Sequence, residues 1–282
     1  MAPTIDCLNR KYYFNFMLGR DAVADDWILS GLELPDLAEA EKAATILRYA
    51  LAKFALVTVK PTPVQSVPFQ SSQLSKWQEV LSHVGSILAQ SENSDGIRDG
   101  KIWMDVRYDA ERADTFRHSA TAQPLHTDSA YLTEPDDVVI FICEHQAISG
   151  GDTIFVHVDT IDACARQKDP ELYRNLWNLQ IPYTKAGVHG RTVPVLRPNE
   201  KGDILINWNY YRVQYERNPE VAAFRERFQN FLQRDIVAGA VPLKIEPGEV
   251  VLFKDQRMLH GRNAFAPSPR CIWKCGLKVY AA

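Results

Sequence analysis

The sequence contains no Cys-x-x-Cys pair, and its five cysteines, Cys7, Cys143, Cys164, Cys271 and Cys275, are an odd number. Both features argue against a disulfide framework and a structural zinc knuckle. No run approaches the roughly 18 consecutive apolar residues of a membrane-spanning helix. The opening residues, MAPTIDCLNRKYYF, lack the basic and apolar regions of a secretory signal, so a reduced, cytoplasmic protein with no membrane partner is expected. Excess basic charge is missing too. The 32 Lys and Arg are interspersed with 35 Asp and Glu for a net charge of -3, which leaves no basic face for nucleic acid. With only 14 Gly and 16 Pro in 282 residues, the chain is neither fibrous nor of low complexity. No repeat or linker divides it, so a single domain over 1–282 is expected.

What is present begins as helix and turns to strand. Asp36 and Glu39 read as a capping box ahead of an apolar face formed by Leu37, Ala40, Ala44, Leu47, Leu51 and Phe54. The β-branched run ALVTVK at 55–60 is expected to be the first strand. A second helix is expected over 72–90, with Leu74, Trp77, Leu81, Val84 and Leu88 on its buried side. From Lys101 onward the segments are strand-like. KIWMDVRY comes first, then VVIFICE at 138–144 and DTIFVHV beyond Gly150-Gly151, the last two expected to form a hairpin. After short helices near 159–167 and 170–178 come IPYTKAG, RTVPVL and DILINWNYYRV, then a helix opened by Pro219. VPLKI, VVLFKD, the His260 segment and RCIWKCGLKVY close the chain as strands. Many short strands with Gly/Pro turns predict a mainly β fold with flanking helices, arranged as a double-stranded β-helix (jelly roll). The polar connection over 109–123 is long enough to serve as a lid.

That connection leads into Pro124-Leu125-His126-Thr127-Asp128. In an extended segment His126 and Asp128, two residues apart, share a face and can grip one ion. With His260 from the distant LHGR segment they supply two imidazoles and one carboxylate, which occupy one face of an octahedron and leave three positions open. Non-haem Fe(II) oxygenases use that arrangement; Zn(II) with an activated water is also served by it. On the final strand Arg270, Ile272 and Lys274 share a face, so two cations can enter one cavity and would match a dianion.

The segments PLHTDSAYL, SGGDT and KDQRMLHGRNAF...PR resemble the taurine dioxygenase superfamily of Fe(II)- and 2-oxoglutarate-dependent oxygenases. The downstream motif resembles most the gamma-butyrobetaine and trimethyllysine hydroxylase branch, although the connection from His260 to Arg270 is shorter here. The resemblance implies a clavaminate synthase-like jelly roll using Fe(II), 2-oxoglutarate and O2. It implies His126, Asp128 and His260 as the catalytic iron ligands, with Thr153 and Arg270 binding 2-oxoglutarate. Lys274 stands where some members carry a second arginine and is a further candidate for the cosubstrate. The implied reaction hydroxylates a C–H bond of a small polar molecule such as an amino acid, amine or natural-product intermediate, releasing succinate and CO2. Desaturation, epoxidation and cyclisation remain alternatives, whereas Asp128 fills the position that halogenases leave to chloride.

For the substrate, ILINWNYYRV resembles a pocket-lining segment of the butyrobetaine branch. Strand alternation would put Asn207, Asn209 and Tyr211 on one face and Trp208, Tyr210 and Arg212 on the other. Tyr131 and Tyr183 are expected aromatic walls able to hold a cation. Two other classes compete. A zinc-dependent hydrolase needs a general base near the metal and gives Arg270 nothing to do. A non-catalytic jelly-roll binding protein leaves nothing to enforce three ligands. The expected partner is a small-molecule substrate, and a homo-oligomer stays open.

Overall fold

The computed structural model describes residues 23–24, 27–61, 71–88, 101–113, 115–185, 188–216 and 218–280. In chain order the elements are β1 (Val23–Ala24), β2 (Ile28–Leu32), α1 (Ala40–Lys53), β3 (Leu56–Val59), α2 (Ser71–Ser82), β4 (Gly85–Leu88), β5 (Met104–Arg107), β6 (Gln123–His126), β7 (Val138–His145) and β8 (Thr153–His157). Then follow α3 (Val158–Lys168), α4 (Pro170–Asn178), β9 (Ile181–Lys185), β10 (Val188–Val193), β11 (Leu196–Pro198), β12 (Ile204–Ile206), α5 (Pro219–Phe231), β13 (Val250–Lys254), β14 (Met258–Arg262) and β15 (Cys271–Val279). A large sheet runs β1-β2-β3-β13-β7-β15-β4 with β5 also on β15, and a smaller one runs β6-β14-β8. The pairs β9-β10 and β11-β12 stand apart from both.

Alternation along the strands builds the layers. On β7, Val138, Ile140 and Ile142 face outward to Ala44, Leu47, Trp77 and Leu81 of α1 and α2. Val139, Phe141 and Cys143 face inward to Phe155 of β8, Phe253 of β13 and Met258 of β14. The far side of the small sheet, Ile154, Val156 and Leu259, packs on Val158 and Ile161 of α3, Leu172 of α4 and Phe224 of α5. Helices thus cover both outer faces and the two sheets meet in the middle, which is why VVIFICE reads as an unbroken apolar run. Each such side chain stabilises the fold by about 1.5–3 kcal/mol.

Several local expectations are corrected by long-range pairing. β7 and β8 form no hairpin: β7 lies between β13 and β15 in the large sheet, while β8 pairs with β14 in the small one. A strand buried on both faces carries no local mark of its neighbour. The second helix stops at Ser82 because residues 85–88 pair with β15, where a Cβ on Gly85 would lie 2.1 Å from the Lys278 carbonyl oxygen; the expected end of that helix, 89–90, lies outside the described residues. The run at 55–60 is preceded by β1 and β2, the latter pairing parallel with β3. α1 begins at Ala40, and Asp36 accepts from the Ala38 N–H in the preceding turn rather than closing a capping box. VPLKI forms only a single bridge, Leu243 to Thr153.

The junction of β8 and α3 makes the fold sensitive to acid. His157 is 5% exposed, stacks on Trp27 at 5.6 Å, and accepts at Nδ1 from the Asp159 N–H at 3.3 Å. Burial, reinforced by Arg257 and Lys254 against the pull of Asp159, pushes its pKa down to about 4. The unfolded chain, with a value of about 6.5, takes up a proton that the folded state refuses. Stability should therefore fall as pH drops through the unfolded pKa, with a loss of roughly 3 kcal/mol complete below the folded one. His157→Asn keeps a capping acceptor and removes the titration, so its urea midpoint should fall less between pH 7 and pH 5 than that of the parent. Equal losses would exclude His157 as the source.

Candidate metal centre and anion cavity

β6 and β14 are adjacent, and His126 and His260 are direct partners across them, with ring centroids 4.2 Å apart. His126 donates from Nδ1 to the Pro124 carbonyl at 2.9 Å, which fixes the tautomer and makes Nε2 the acceptor, where the Gln123 side-chain NH2 donates to it at 3.1 Å and an ion would have to take that donor's place. Asp128 lies just past β6. Its Oδ1 is 3.7 Å from His126 Nε2 and its Oδ2 is 3.8 Å from His260 Nε2. One ligand atom from each residue lies within 4.8 Å of the others, so one ion can bridge all three.

The charges suit such an ion. Burial pushes the Asp128 carboxyl up, but its neighbours, the Lys274 ammonium foremost, outweigh it and hold it well below the usual range. Lys274 Nζ sits 2.6 Å from Asp128 Oδ1. Burial, then His126, drives His260 far down, so its imidazole is neutral. An ionised carboxylate and neutral imidazole are the forms a metal requires. Asp128 Oδ2 is buried without a hydrogen-bond partner, an orphaned acceptor that a cation would satisfy.

Beside this cluster, between the two sheets, is a cavity of about 120 Å³. Thr153 of β8, Phe141 of β7, Met104 and Val106 of β5 and Ile272 and Lys274 of β15 line it together with the three ligand residues. Arg270, only 3% exposed, also lines it, and its Nε has no hydrogen-bond partner. Burial pushes its pKa down. Among the described residues the only acid lining the cavity is Asp128, already paired with Lys274, and the Arg270 guanidinium lies over the Phe265 ring at 5.6 Å. Gly151, at φ +75°, makes room for it: a Cβ there would sit 3.2 Å from Arg270 Cδ and Nε.

The cavity gathers His126, Asp128, His260, Thr153, Arg270 and Lys274. Tyr131, Asn207, Asn209 and Tyr211 are not among its lining residues. The strand expected through ILINWNYYRV ends at Ile206, and Tyr210–Arg212 is a 3-10 turn capped by Asn209, so the alternation argument does not apply there. Asn207 is 1% exposed and its side chain is engaged with Arg191 and the Ala130 carbonyl, whereas Tyr211 is 56% exposed. Lys185 and Arg212 lie over the Tyr131 ring at 5.2 and 5.6 Å, so the protein's own cations use that face. Tyr183 is wholly buried and donates its hydroxyl to the Asn207 carbonyl.

Sequence reasoning passed over Arg117, Gln123 and Arg262, which also line the cavity. Arg262 was accessible to it, since it follows His260 by two residues on one strand. It donates to the carbonyls of Phe116, Ser119 and Thr121 and so ties the 109–123 connection to β14. Arg117 in that connection pairs with Asp105 at 2.5 Å. Neither contact has a local signature.

Residues 19–275 match the family described as Taurine catabolism dioxygenase TauD, TfdA family. The sequence is 25% identical over 212 residues to trimethyllysine dioxygenase of Neurospora crassa, covering 58% of this chain and 44% of that protein. It is 28% identical over 157 residues to gamma-butyrobetaine dioxygenase of Homo sapiens, covering 50% and 39%. The matched region is thus less than half the length of these two relatives. A solved structure of asparagine oxygenase with Fe(II), 2S,3S-3-hydroxyasparagine and succinate superposes with a TM-score of 0.61 at 16% identity, covering 86% of this chain and 83% of the other. At that identity the likeness is one of fold.

Proposed function

The chain belongs to the TauD/TfdA family, and from that premise we propose that it is an Fe(II)- and 2-oxoglutarate-dependent dioxygenase that hydroxylates a C–H bond of a small polar molecule, such as an amino acid, amine or natural-product intermediate. One observation carries the reading: the His126, Asp128 and His260 cluster lines one cavity with the buried Arg270, whose Nε has no hydrogen-bond partner. A metal centre beside an anion site suits a chelating dianion as cosubstrate.

His126, Asp128 and His260 would hold the ion. When bound, Fe(II) with 2-oxoglutarate and O2 supplies an oxidant for a C–H bond, with succinate and CO2 released. The remaining roles belong to the protein. Arg270 would receive the far carboxylate of 2-oxoglutarate on its planar fork. Thr153, which lines the same cavity, would meet a carboxylate. Phe141, Met104, Val106 and Ile272 give the cavity an apolar wall that keeps water from the reacting centre. Lys274 keeps Asp128 ionised and oriented. Desaturation, epoxidation and cyclisation differ from hydroxylation in substrate placement, not in these ligands.

A zinc hydrolase is less well served, because no second carboxylate lines the cavity among the described residues to act as general base. We read the two facing sheets as a clavaminate synthase-like double-stranded β-helix. No helix among the described residues is long and apolar enough to cross a membrane, and Cys143, Cys164, Cys271 and Cys275 are free thiols, which favours a reducing, cytoplasmic setting. The test is anaerobic titration with Fe(II) and 2-oxoglutarate, watching the weak visible charge-transfer band of the chelate. Its appearance, and its loss in His260→Ala, is the expected result. Tight zinc binding without any band would transfer the assignment to the hydrolase.

A further inference from the structure

We propose that Asp255 is a positioning residue of the metal centre, whose carboxylate holds the backbone of Asp128 so that this third ligand meets the two histidines. The inference rests on reading His126, Asp128 and His260 as metal ligands. The histidines need no such support. They are direct partners in the β6-β14 ladder, so main-chain register fixes their separation. Asp128 lies beyond the last residue of β6 and has no ladder.

A side chain takes the ladder's place. The Asp128 N–H donates to Asp255 Oδ1 at 2.8 Å and the Ser129 N–H to Asp255 Oδ2 at 3.0 Å. Asp255 is 0% exposed and sits in the turn between β13 and β14, the same turn that leads into the strand bearing His260. Its own N–H donates to the Asp137 carbonyl at 3.1 Å, so the chain from Asp128 to the start of β7 is held at both ends by this one residue. The turn that delivers the distal histidine therefore also sets the carboxylate ligand. A buried carboxylate is costly unless its oxygens are satisfied, and here each oxygen takes one amide. Asparagine has a single acceptor oxygen, and its NH2 would face the second N–H.

Loss of an outer-shell partner typically lowers metal affinity by about 10–100-fold. The test is titration with Co(II), followed by visible absorption, of the parent, His126→Ala and Asp255→Asn. It is run at a temperature where near-UV circular dichroism shows the native signal. The expected result is binding by the parent, none by His126→Ala, and a dissociation constant raised about 10–100-fold with an altered band in Asp255→Asn. A merely structural role would lower the melting temperature and leave affinity and band untouched. A folded Asp255→Asn that binds Co(II) like the parent overturns the proposal and spares the metal assignment. A parent that binds no Co(II) overturns both. Should Asp255→Asn not fold, hydrogen exchange on the parent decides. The Asp128 and Ser129 amides should be protected without metal and slowed further by Co(II); exchange at the unfolded-chain rate, or no response to Co(II), would sink the idea.

Discussion

His126→Ala is expected to abolish 2-oxoglutarate-dependent succinate release while leaving the fold intact. His126 supplies one of three ligand atoms gathered within 4.8 Å, and its orientation is set in advance by the hydrogen bond to the Pro124 carbonyl. Outer-shell changes already cost about 10–100-fold in metal affinity or activity, so removing a ligand should exceed that range. The fold should tolerate the change because the imidazole faces the cavity and the neighbouring core does not depend on it. Activity is read as succinate released and folding as the near-UV signal and melting temperature of the metal-free protein. Full turnover in a folded His126→Ala would show that the metal is elsewhere.

Arg270→Ala should act on the cosubstrate rather than on the metal. The guanidinium is buried without a hydrogen-bonded partner for its Nε, so its electrostatic demand is unmet until an anion arrives. A charge-assisted contact contributes about 1.5–3 kcal/mol, which corresponds to a rise of about 10- to 150-fold in the 2-oxoglutarate concentration required. Lys274 cannot easily substitute, since its ammonium is 2.6 Å from Asp128 Oδ1. Arg270→Lys should recover part of the loss, because it restores the charge without the planar fork. The measurement is succinate release against 2-oxoglutarate concentration, together with Co(II) affinity. A change in Co(II) affinity with an unchanged 2-oxoglutarate requirement would reverse the two assignments.

The cluster of His126, Asp128 and His260 was legible in the sequence because metal chemistry restricts residue types. His126, Asp128, His260 and Arg270 were marked by motif, but Asp128 lies past the end of β6, so the strand alternation expected to pair it with His126 does not place it. The apolar faces of α1 and α5 were legible for a similar reason: a helix that buries one side must repeat at three and four residues. The strands β7 and β13 were also visible, as VVIFICE and VVLFKD.

Only the tertiary structure decided which strands meet. β7 and β8 look alike in sequence, yet they lie in opposite sheets, because their partners come from more than a hundred residues downstream in the chain. The same distance hid the end of α2, where pairing with β15 outweighs helical spacing, and the end of β12, where Asn209 caps a turn. It hid Asp255 most completely. A lone aspartate beside a strand reads as a surface residue, and nothing local announces that Asp128 and Ser129, 127 and 126 residues away, present their amides to it. By itself the sequence singled out the candidate ligands, since their chemistry is local to each side chain. The fold alone determined how those side chains are held, because hydrogen-bond geometry and burial arise only when distant segments are brought together.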